Sequence, residues 1–271
     1  MDYILYLLIF CIGALFGSFF TLAVYRIPIG QDITHTRSYC PKCNHKLGFW
    51  DMIPIFSYVF LGGKCRYCKE KIRPRYLLLE VLSGLVFVLF ALSIKFSIFF
   101  ITPKTVIYLI VGALYLASLF IIAGIDKERI KIEKPVLLFG FICVAIYMIY
   151  LYIVEEDASI YRYVIYLMLS CLLLLFSIVY LRKKGEDSYP IDVLILSMLM
   201  VLYTYETVYI GTVIITLIAI SIQLLITKLH NKKSKVVKKV KVENKKIPIG
   251  FYMCVANIVV LIATNFMVFY L

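Results

Sequence analysis

The sequence predicts an all-α integral membrane protein of about eight transmembrane helices, with one small polar insert after the first helix. Three observations predict this fold class. The 271 residues are 63% hydrophobic, with a mean hydropathy of +0.94, whereas a soluble domain is nearer half apolar. The apolar residues lie in long blocks, which is typical of membrane-spanning helices. The basic residues are concentrated in a few segments between those blocks.

Seven of the eight apolar stretches are long enough to cross about 30 Å of hydrocarbon as a helix. The sixth is shorter, which indicates a tilted or partly water-lined segment. We interpret the first as a retained span, because it is too long for a signal peptide and Asp2 replaces the usual basic residues. The stretches cover residues 3–25, 77–101, 105–125, 136–154, 160–181, 191–205, 208–227 and 247–271.

The distribution of Lys and Arg predicts the orientation. Of the 29 basic residues, 26 lie in segments 26–75, 126–135, 182–190 and 228–246. If the spans alternate, these segments share one side, and short basic loops stay cytoplasmic. Both termini are therefore predicted outside, and the insert is predicted in the cytoplasm.

The net charge of +13 is thus explained by topology and by contact with anionic lipid. Nucleic acid is not predicted as a partner, because the aromatic residues lie in the spans rather than among the basic residues.

Two Cys-x-x-Cys pairs are the strongest local signal. Cys40 and Cys43 are followed, 21 residues later, by Cys65 and Cys68. Four thiolates at this spacing can close a tetrahedral zinc site, and they leave no open position for catalysis. The zinc is therefore predicted to be structural, as a staple for an insert too small to hold a large core. The alternative is four unrelated reduced thiols.

Two carboxylates at membrane borders are candidates for chemistry. Asp126 ends the third span, where a negative charge meets the unfavourable end of the helix dipole. Asp192 begins the sixth span. The alternatives are a solvated interfacial residue for Asp126 and ordinary helix capping for Asp192. At the same depth, two carboxylates could share a proton and activate water.

The helix dipole also suggests a division of roles. An N-terminal dipole favours the ionised form of Asp192, so Asp126 is expected to be the proton donor. For a nucleotide-like cofactor the sequence offers no comparable signal. Gly124 and the Gly62-Gly63 pair match no phosphate-binding fingerprint, so cofactor-binding residues are unknown.

These motifs resemble the bacterial type IV prepilin peptidase family, whose members are leader peptidases and N-methyltransferases. Residues 17–28 are similar to the family's GSFLNVVIxRxP, with Thr21 where Asn is usual. Residues 38–84 are the closest match, and they contain the cysteine pairs. Asp126 falls where the first catalytic aspartate of the family ends a span, and residues 246–251 resemble the start of its last span.

One departure concerns the second aspartate, which in the family lies in GxGD before a helix containing lysine. Here Tyr189-Pro-Ile-Asp192 lacks both glycines, and the following helix lacks the lysine. The missing glycines remove backbone freedom close to the reacting peptide. Altered kinetics and a degenerate, inactive member are both left open.

The resemblance implies an aspartyl endopeptidase that cleaves the basic leader of prepilin-like or pseudopilin substrates, with Asp126 and Asp192 as catalytic residues. It also implies N-methylation from S-adenosylmethionine and a multi-pass location in the bacterial cytoplasmic membrane. The expected domains are a first helix (1–25), a cytoplasmic zinc domain (26–76) and a seven-helix peptidase core (77–271).

Two other classes of function are weighed against this one. A non-catalytic factor that binds prepilins or assists assembly of a secretion machine is favoured by the altered second motif. A transporter would place ionisable residues in mid-span, where this sequence has almost none.

Overall fold

The computed structural model describes residues 2–154, 161–176, 178–179, 188–234 and 247–270. Within these residues the chain forms eight α-helices and, apart from two isolated β-bridges, no β-structure. The helices are α1 (Asp2–Arg26), α2 (Phe56–Phe60), α3 (Arg75–Ser93), α4 (Pro103–Arg129), α5 (Lys134–Val154), α6 (Tyr161–Phe176), α7 (Tyr189–Ser234) and α8 (Ile249–Tyr270).

The predicted all-α membrane fold is confirmed. Among the described residues, six helical segments are long and apolar enough to cross a membrane. Two shorter apolar helices, Tyr163–Phe176 and Tyr189–Thr204, fall on the fifth and sixth predicted stretches, and part of the fifth stretch lies outside the described residues. The six long segments are Asp2–Ile29, Arg75–Ser93, Pro103–Arg129, Lys134–Val154, Thr207–Thr227 and Ile249–Tyr270.

The chain divides into two compact units. The first contains the residues up to Ala113 and those from Asn265 onward, and the second is Leu114–Thr264. The functional division into a first helix, a zinc domain (26–76) and a peptidase core stays a prediction.

In the first unit, α1 and α3 pack closely through small residues. A Cβ atom at Gly17 would lie 2.8 Å from the Cα atom of Glu80, so only glycine permits this approach. Ser83 donates a hydrogen bond of 2.7 Å to the Gly13 carbonyl. Such close backbone contact is a common way to join helices in lipid, where apolar burial gives little driving force.

In the second unit, a buried polar network joins α4, α7 and α8. The ring of Tyr115 stacks on that of Tyr203, with 4.1 Å between centroids. Its hydroxyl donates a hydrogen bond of 2.8 Å to Asn257, whose amide donates in turn to Thr212 at 3.1 Å. These bonds satisfy polar groups that would be costly to leave unpaired away from water.

The sixth and seventh predicted stretches lie on one helix in the structure. Helix α7 is continuous from Tyr189 to Ser234 and contains residues 191–205 and 208–227 without a turn between them.

Candidate active site and cysteine cluster

Asp126 lies in the last turn of α4 and is fully buried. Its Oδ2 atom accepts hydrogen bonds from the backbone N–H of Phe251 at 2.8 Å and from the hydroxyl of Tyr189 at 3.1 Å. The Tyr189 hydroxyl also accepts from the N–H of Gly250 at 3.3 Å. The Oδ1 atom of Asp126 has no hydrogen-bond partner among the described residues. A buried carboxylate oxygen without a hydrogen bond destabilises the fold and points to a functional use.

The N-terminus of α8 points at this carboxylate. Gly250 and Phe251 belong to the first turn of α8, whose N–H groups and dipole favour a negative charge. A Cβ atom at Gly250 would lie 3.1 Å from Asp126 Oδ2, so a larger residue would crowd the carboxylate. The dipole of α8 therefore offsets the unfavourable interaction between the Asp126 charge and the C-terminal end of α4, which is the only dipole that the sequence predicts near this residue.

Asp192 lies in the first turn of α7 and is only 2% exposed. The hydroxyl of Ser188 donates a hydrogen bond of 2.8 Å to its Oδ2 atom. Asp192 is therefore held in a defined orientation at the start of its helix, as the sequence predicts.

The register of α4 and α7 brings the two aspartates to the same level. The Tyr115–Tyr203 stack is a common reference point. Asp126 lies eleven residues after Tyr115, and Asp192 lies eleven residues before Tyr203. Eleven residues correspond to about 16 Å and to about 20° beyond three full turns. Each aspartate therefore lies on the same face of its helix as the stacked tyrosine and at the same distance from it.

Sequence reasoning missed Tyr189 as a partner of Asp126. It stands three residues before Asp192, where the family motif has its first glycine. The only available signal was this departure from the motif, which we interpreted as a loss of glycine rather than a gain of a hydroxyl. The nearby carboxylates Glu186 and Asp187 lie outside the described residues.

The four cysteines of the insert form a cluster that fits a tetrahedral metal. Their Sγ atoms all lie within 4.8 Å of one another, and Cys40 and Cys68 are 3.8 Å apart. A tetrahedron with zinc–sulfur bonds of about 2.3 Å has edges of about 3.8 Å. Small movements of the side chains would bring all four sulfur atoms to this spacing, so the cluster fits one zinc ion.

Both cysteine pairs sit in the same kind of turn. The residue after the second cysteine of each pair is left-handed, with φ of 56° at Asn44 and 59° at Lys69. Asn44 donates its N–H to the Cys40 carbonyl at 2.8 Å, and Lys69 donates to the Cys65 carbonyl at 3.0 Å. Two equivalent turns that face one cluster are the expected frame of a four-thiolate site.

The electrostatics of the cluster also favour a cation. Burial raises the pKa of Cys40, but the backbone N–H groups of Cys43 and Lys42 and the thiols of Cys43 and Cys65 together lower it to about 7. The backbone N–H of Glu70 lowers the pKa of Cys68, but burial and the neighbouring thiols raise it to about 11. All four thiols can ionise together only when a metal compensates their charge.

Two neighbouring side chains have other partners. His45 stacks on Tyr67, with 3.5 Å between ring centroids. Arg66 forms an ion pair with Asp51. Burial raises the pKa of Asp51, but the hydrogen bond and charge of Arg66, together with the Gly48 N–H and the Tyr67 hydroxyl, hold the pKa below its usual range.

Comparison with known proteins finds one family model that matches the N-terminal part of the chain. Residues 11–94 match the Bacterial Peptidase A24 N-terminal domain. This match contains all four cysteines and neither Asp126 nor Asp192.

Curated relatives named "Prepilin leader peptidase/N-methyltransferase" match a larger part of the chain. The protein from Myxococcus xanthus (strain DK1622) is 37% identical over 122 residues, which are 45% of this chain and 33% of that protein. The protein from Klebsiella pneumoniae is 32% identical over 126 residues, or 44% and 51%. The protein from Bacillus subtilis (strain 168) is 31% identical over 132 residues, or 49% and 50%.

The resemblance predicted from the sequence is therefore confirmed. The chain spans about a third to a half of the length of these relatives. No solved structure matches it.

Proposed function

We propose that this chain is a membrane-embedded aspartyl endopeptidase of the prepilin leader peptidase type, with Asp126 and Asp192 as its catalytic pair. The observation that carries the proposal is the buried Asp126 carboxylate. Its Oδ2 is held by Phe251 and Tyr189 while its Oδ1 has no partner among the described residues. The register that brings Asp192 to the same level supports a pair rather than two isolated acids. The names of the relatives support the reaction class.

The proposed reaction is hydrolysis of one peptide bond. An ionised Asp192 takes a proton from water as the water oxygen attacks the scissile carbonyl carbon. A protonated Asp126 donates its proton to the carbonyl oxygen, and collapse of the resulting diol breaks the C–N bond and passes a proton to the leaving amine. Asp126 Oδ1 suits the role of donor because Oδ2 is already saturated. The pair titrates as a unit.

The proposed substrates are prepilin-like or pseudopilin proteins, in which a short basic leader precedes an apolar helix. Cleavage would occur at the cytoplasmic face of the bacterial cytoplasmic membrane. The new N-terminus would then receive a methyl group from S-adenosylmethionine, and the residues that bind this cofactor are unassigned. Zinc, held by Cys40, Cys43, Cys65 and Cys68, would fold the insert and take no part in hydrolysis.

The experiment that tests this function uses purified protein in detergent or vesicles and a full-length prepilin. Intact-mass measurement of the product reports the cleavage position. Repeating it with S-adenosylmethionine separates the two activities, because only a methyltransferase adds one methyl group to the cleaved product. A product whose mass never responds to the cofactor would leave the peptidase alone.

Tyr189 gives a prediction specific to this chain. Tyr189→Phe keeps the ring but removes the hydroxyl that orients Asp126. A hydrogen bond to an uncharged group contributes about 0.5–1.5 kcal/mol, so we expect kcat to fall by about 2- to 10-fold. Because the hydroxyl contacts Asp126 rather than the leader, KM should stay unchanged.

The control for this variant is Tyr203→Phe, which removes a buried hydroxyl from the same helix more than three turns away. It should cleave at nearly the wild-type rate. Equal kcat for Tyr189→Phe and wild type would show that the hydroxyl does not position the catalytic acid.

We also propose that both termini lie outside and that the cysteine insert is cytoplasmic, which the distribution of basic residues supports. A reporter fused after Asn244 should then be cytoplasmic, and one fused after Asp157 should be external. Activity of alkaline phosphatase and of a cytoplasmic reporter at each position provides the measurement. Both positions on one side would contradict the eight-span arrangement.

A second candidate is a membrane factor that binds prepilins without cleaving them. The replacement of the family's two glycines by Tyr189 and Ile191 favours it, because the glycines would give the backbone room beside the substrate. Saturable prepilin binding with no change in substrate mass would identify this function.

A further inference from the structure

We infer that an apolar surface of the cysteine insert docks into the headgroup–acyl boundary of the bilayer that α1 and α3 span. This surface, here termed the aromatic face, is formed by the side chains of Phe49, Trp50, Phe56, Val59 and Phe60. The inference does not depend on the proposed peptidase activity.

The large apolar side chains of the aromatic face are exposed, whereas in a domain surrounded by water such side chains are mostly buried. Trp50 is 72% exposed and Phe60 is 82% exposed. Trp50, Phe56 and Phe60 help to line a shallow open cavity of about 510 Å³ on the insert. Contiguous apolar surface of this kind on a small polar domain marks an interaction site.

The depth of this face argues for lipid as the partner. The N–H of Ile55, which directly precedes α2, donates a hydrogen bond of 2.7 Å to Glu80 Oε2. Glu80 is five residues, or about 7.5 Å, beyond the start of α3. It packs against Gly17, which lies nine residues, or about 13.5 Å, before the end of α1. Since the Glu80 side chain reaches back toward the start of α3, the start of α2 lies close to the level where α3 begins and below the end of α1. This is the level at which the border between water and lipid is expected.

The contact between the start of α2 and α3 includes a strained residue. Ile55 has φ of 65°, a conformation that a β-branched residue rarely adopts. Such strain persists only where surrounding contacts enforce it, and the Glu80 hydrogen bond is one such contact. The position of α2 against α3 is thus fixed rather than incidental.

Charge complementarity supports the same partner. Segment 26–75 contains ten basic and three acidic residues. Lys64, Lys71 and Arg73, which follow the aromatic face in sequence, are all exposed, and Arg66 lines its cavity. Basic side chains beside buried aromatic rings are typical of helices that lie in the membrane interface, where Trp is also enriched.

The test uses Trp50, which is the only tryptophan of the chain and therefore an intrinsic probe. The full-length protein is reconstituted in vesicles of phosphatidylcholine and phosphatidylglycerol, and Trp50 emission is compared between ordinary and brominated lipids. We expect a blue-shifted emission that brominated lipids quench and that acrylamide in the aqueous phase barely affects. Quenching by acrylamide together with insensitivity to brominated lipid would overturn the inference.

A variant pair extends the test. Phe60→Asp places a charge in the aromatic face and should shift Trp50 emission to the red and weaken lipid quenching. Gln31→Asp, at an exposed site of the insert outside the aromatic face, should leave both unchanged. If instead Trp50 is water-exposed in vesicles and becomes protected only when a prepilin is added, the face binds the peptide substrate and the lipid assignment is wrong.

Discussion

Replacing Asp126 by Asn should abolish prepilin cleavage while the protein remains folded and inserted in the membrane. The amide cannot donate or accept the proton that the reaction moves, and positioned acid–base groups typically contribute about 10²- to 10⁴-fold. Asn can still accept hydrogen bonds from Phe251 and Tyr189 through its carbonyl oxygen, so the local structure should survive. Asp192→Asn should have the same effect. Initial rates on a full-length prepilin, followed by mass, provide the measurement.

Two matched variants control for charge alone. Glu128→Gln removes a carboxylate two residues from Asp126, and Asp187→Asn removes one that precedes Pro190. Both should cleave at nearly the wild-type rate. An active Asp192→Asn together with an inactive Asp187→Asn would show that the second catalytic carboxylate is Asp187.

Replacing Cys40 by Ser should remove zinc and unfold the cysteine insert. The wild-type protein should carry about one zinc per chain, because four thiolates complete one tetrahedral site. Binding of structural zinc to small domains contributes about 10–16 kcal/mol of apparent free energy, and the insert has few buried apolar groups to replace it. Metal content by mass spectrometry and protease sensitivity of residues 26–75 measure the two consequences.

Cys171→Ser is the control, since this exposed cysteine of α6 lies outside the cluster. It should keep its zinc and its protease resistance. A metal-free wild-type protein whose insert resists protease as well as the zinc-loaded form would contradict a structural role for the metal.

The cysteine cluster and the long helices could be predicted from the sequence because each depends on local spacing. Each Cys-x-x-Cys turn positions two metal ligands that are close together in the sequence, and each long apolar block is sufficient to predict a helix. The proposed pairing of Asp126 with Asp192 could be predicted only in outline, from the expected positions of both residues at the same membrane border. The register that aligns them depends on Tyr115 and Tyr203, which pair across 88 residues.

The hydrogen bonds to Asp126 could not be predicted either, because they join residues that are far apart in the sequence. Phe251 offers a backbone N–H to Asp126 from 125 residues away, and no side-chain pattern encodes that bond. The dipole of α8 also changes the electrostatics of the site. Asp126 ends α4 but faces the N-terminus of α8, so both aspartates contact or begin the N-terminus of a helix. The hydrogen bond between Ile55 and Glu80 could not be predicted from the sequence either, because a strained backbone donor leaves no signal in composition or periodicity.

The central claim is that the aspartate pair hydrolyses a prepilin leader. The most direct measurement is the intact mass of a full-length prepilin after incubation with the purified wild-type protein, beside an identical incubation with the Asp126→Asn variant. The account predicts one cut between the basic leader and the apolar helix with wild-type protein and an unchanged mass with the variant. An unchanged mass in both incubations, or equal cleavage by both proteins, would contradict it.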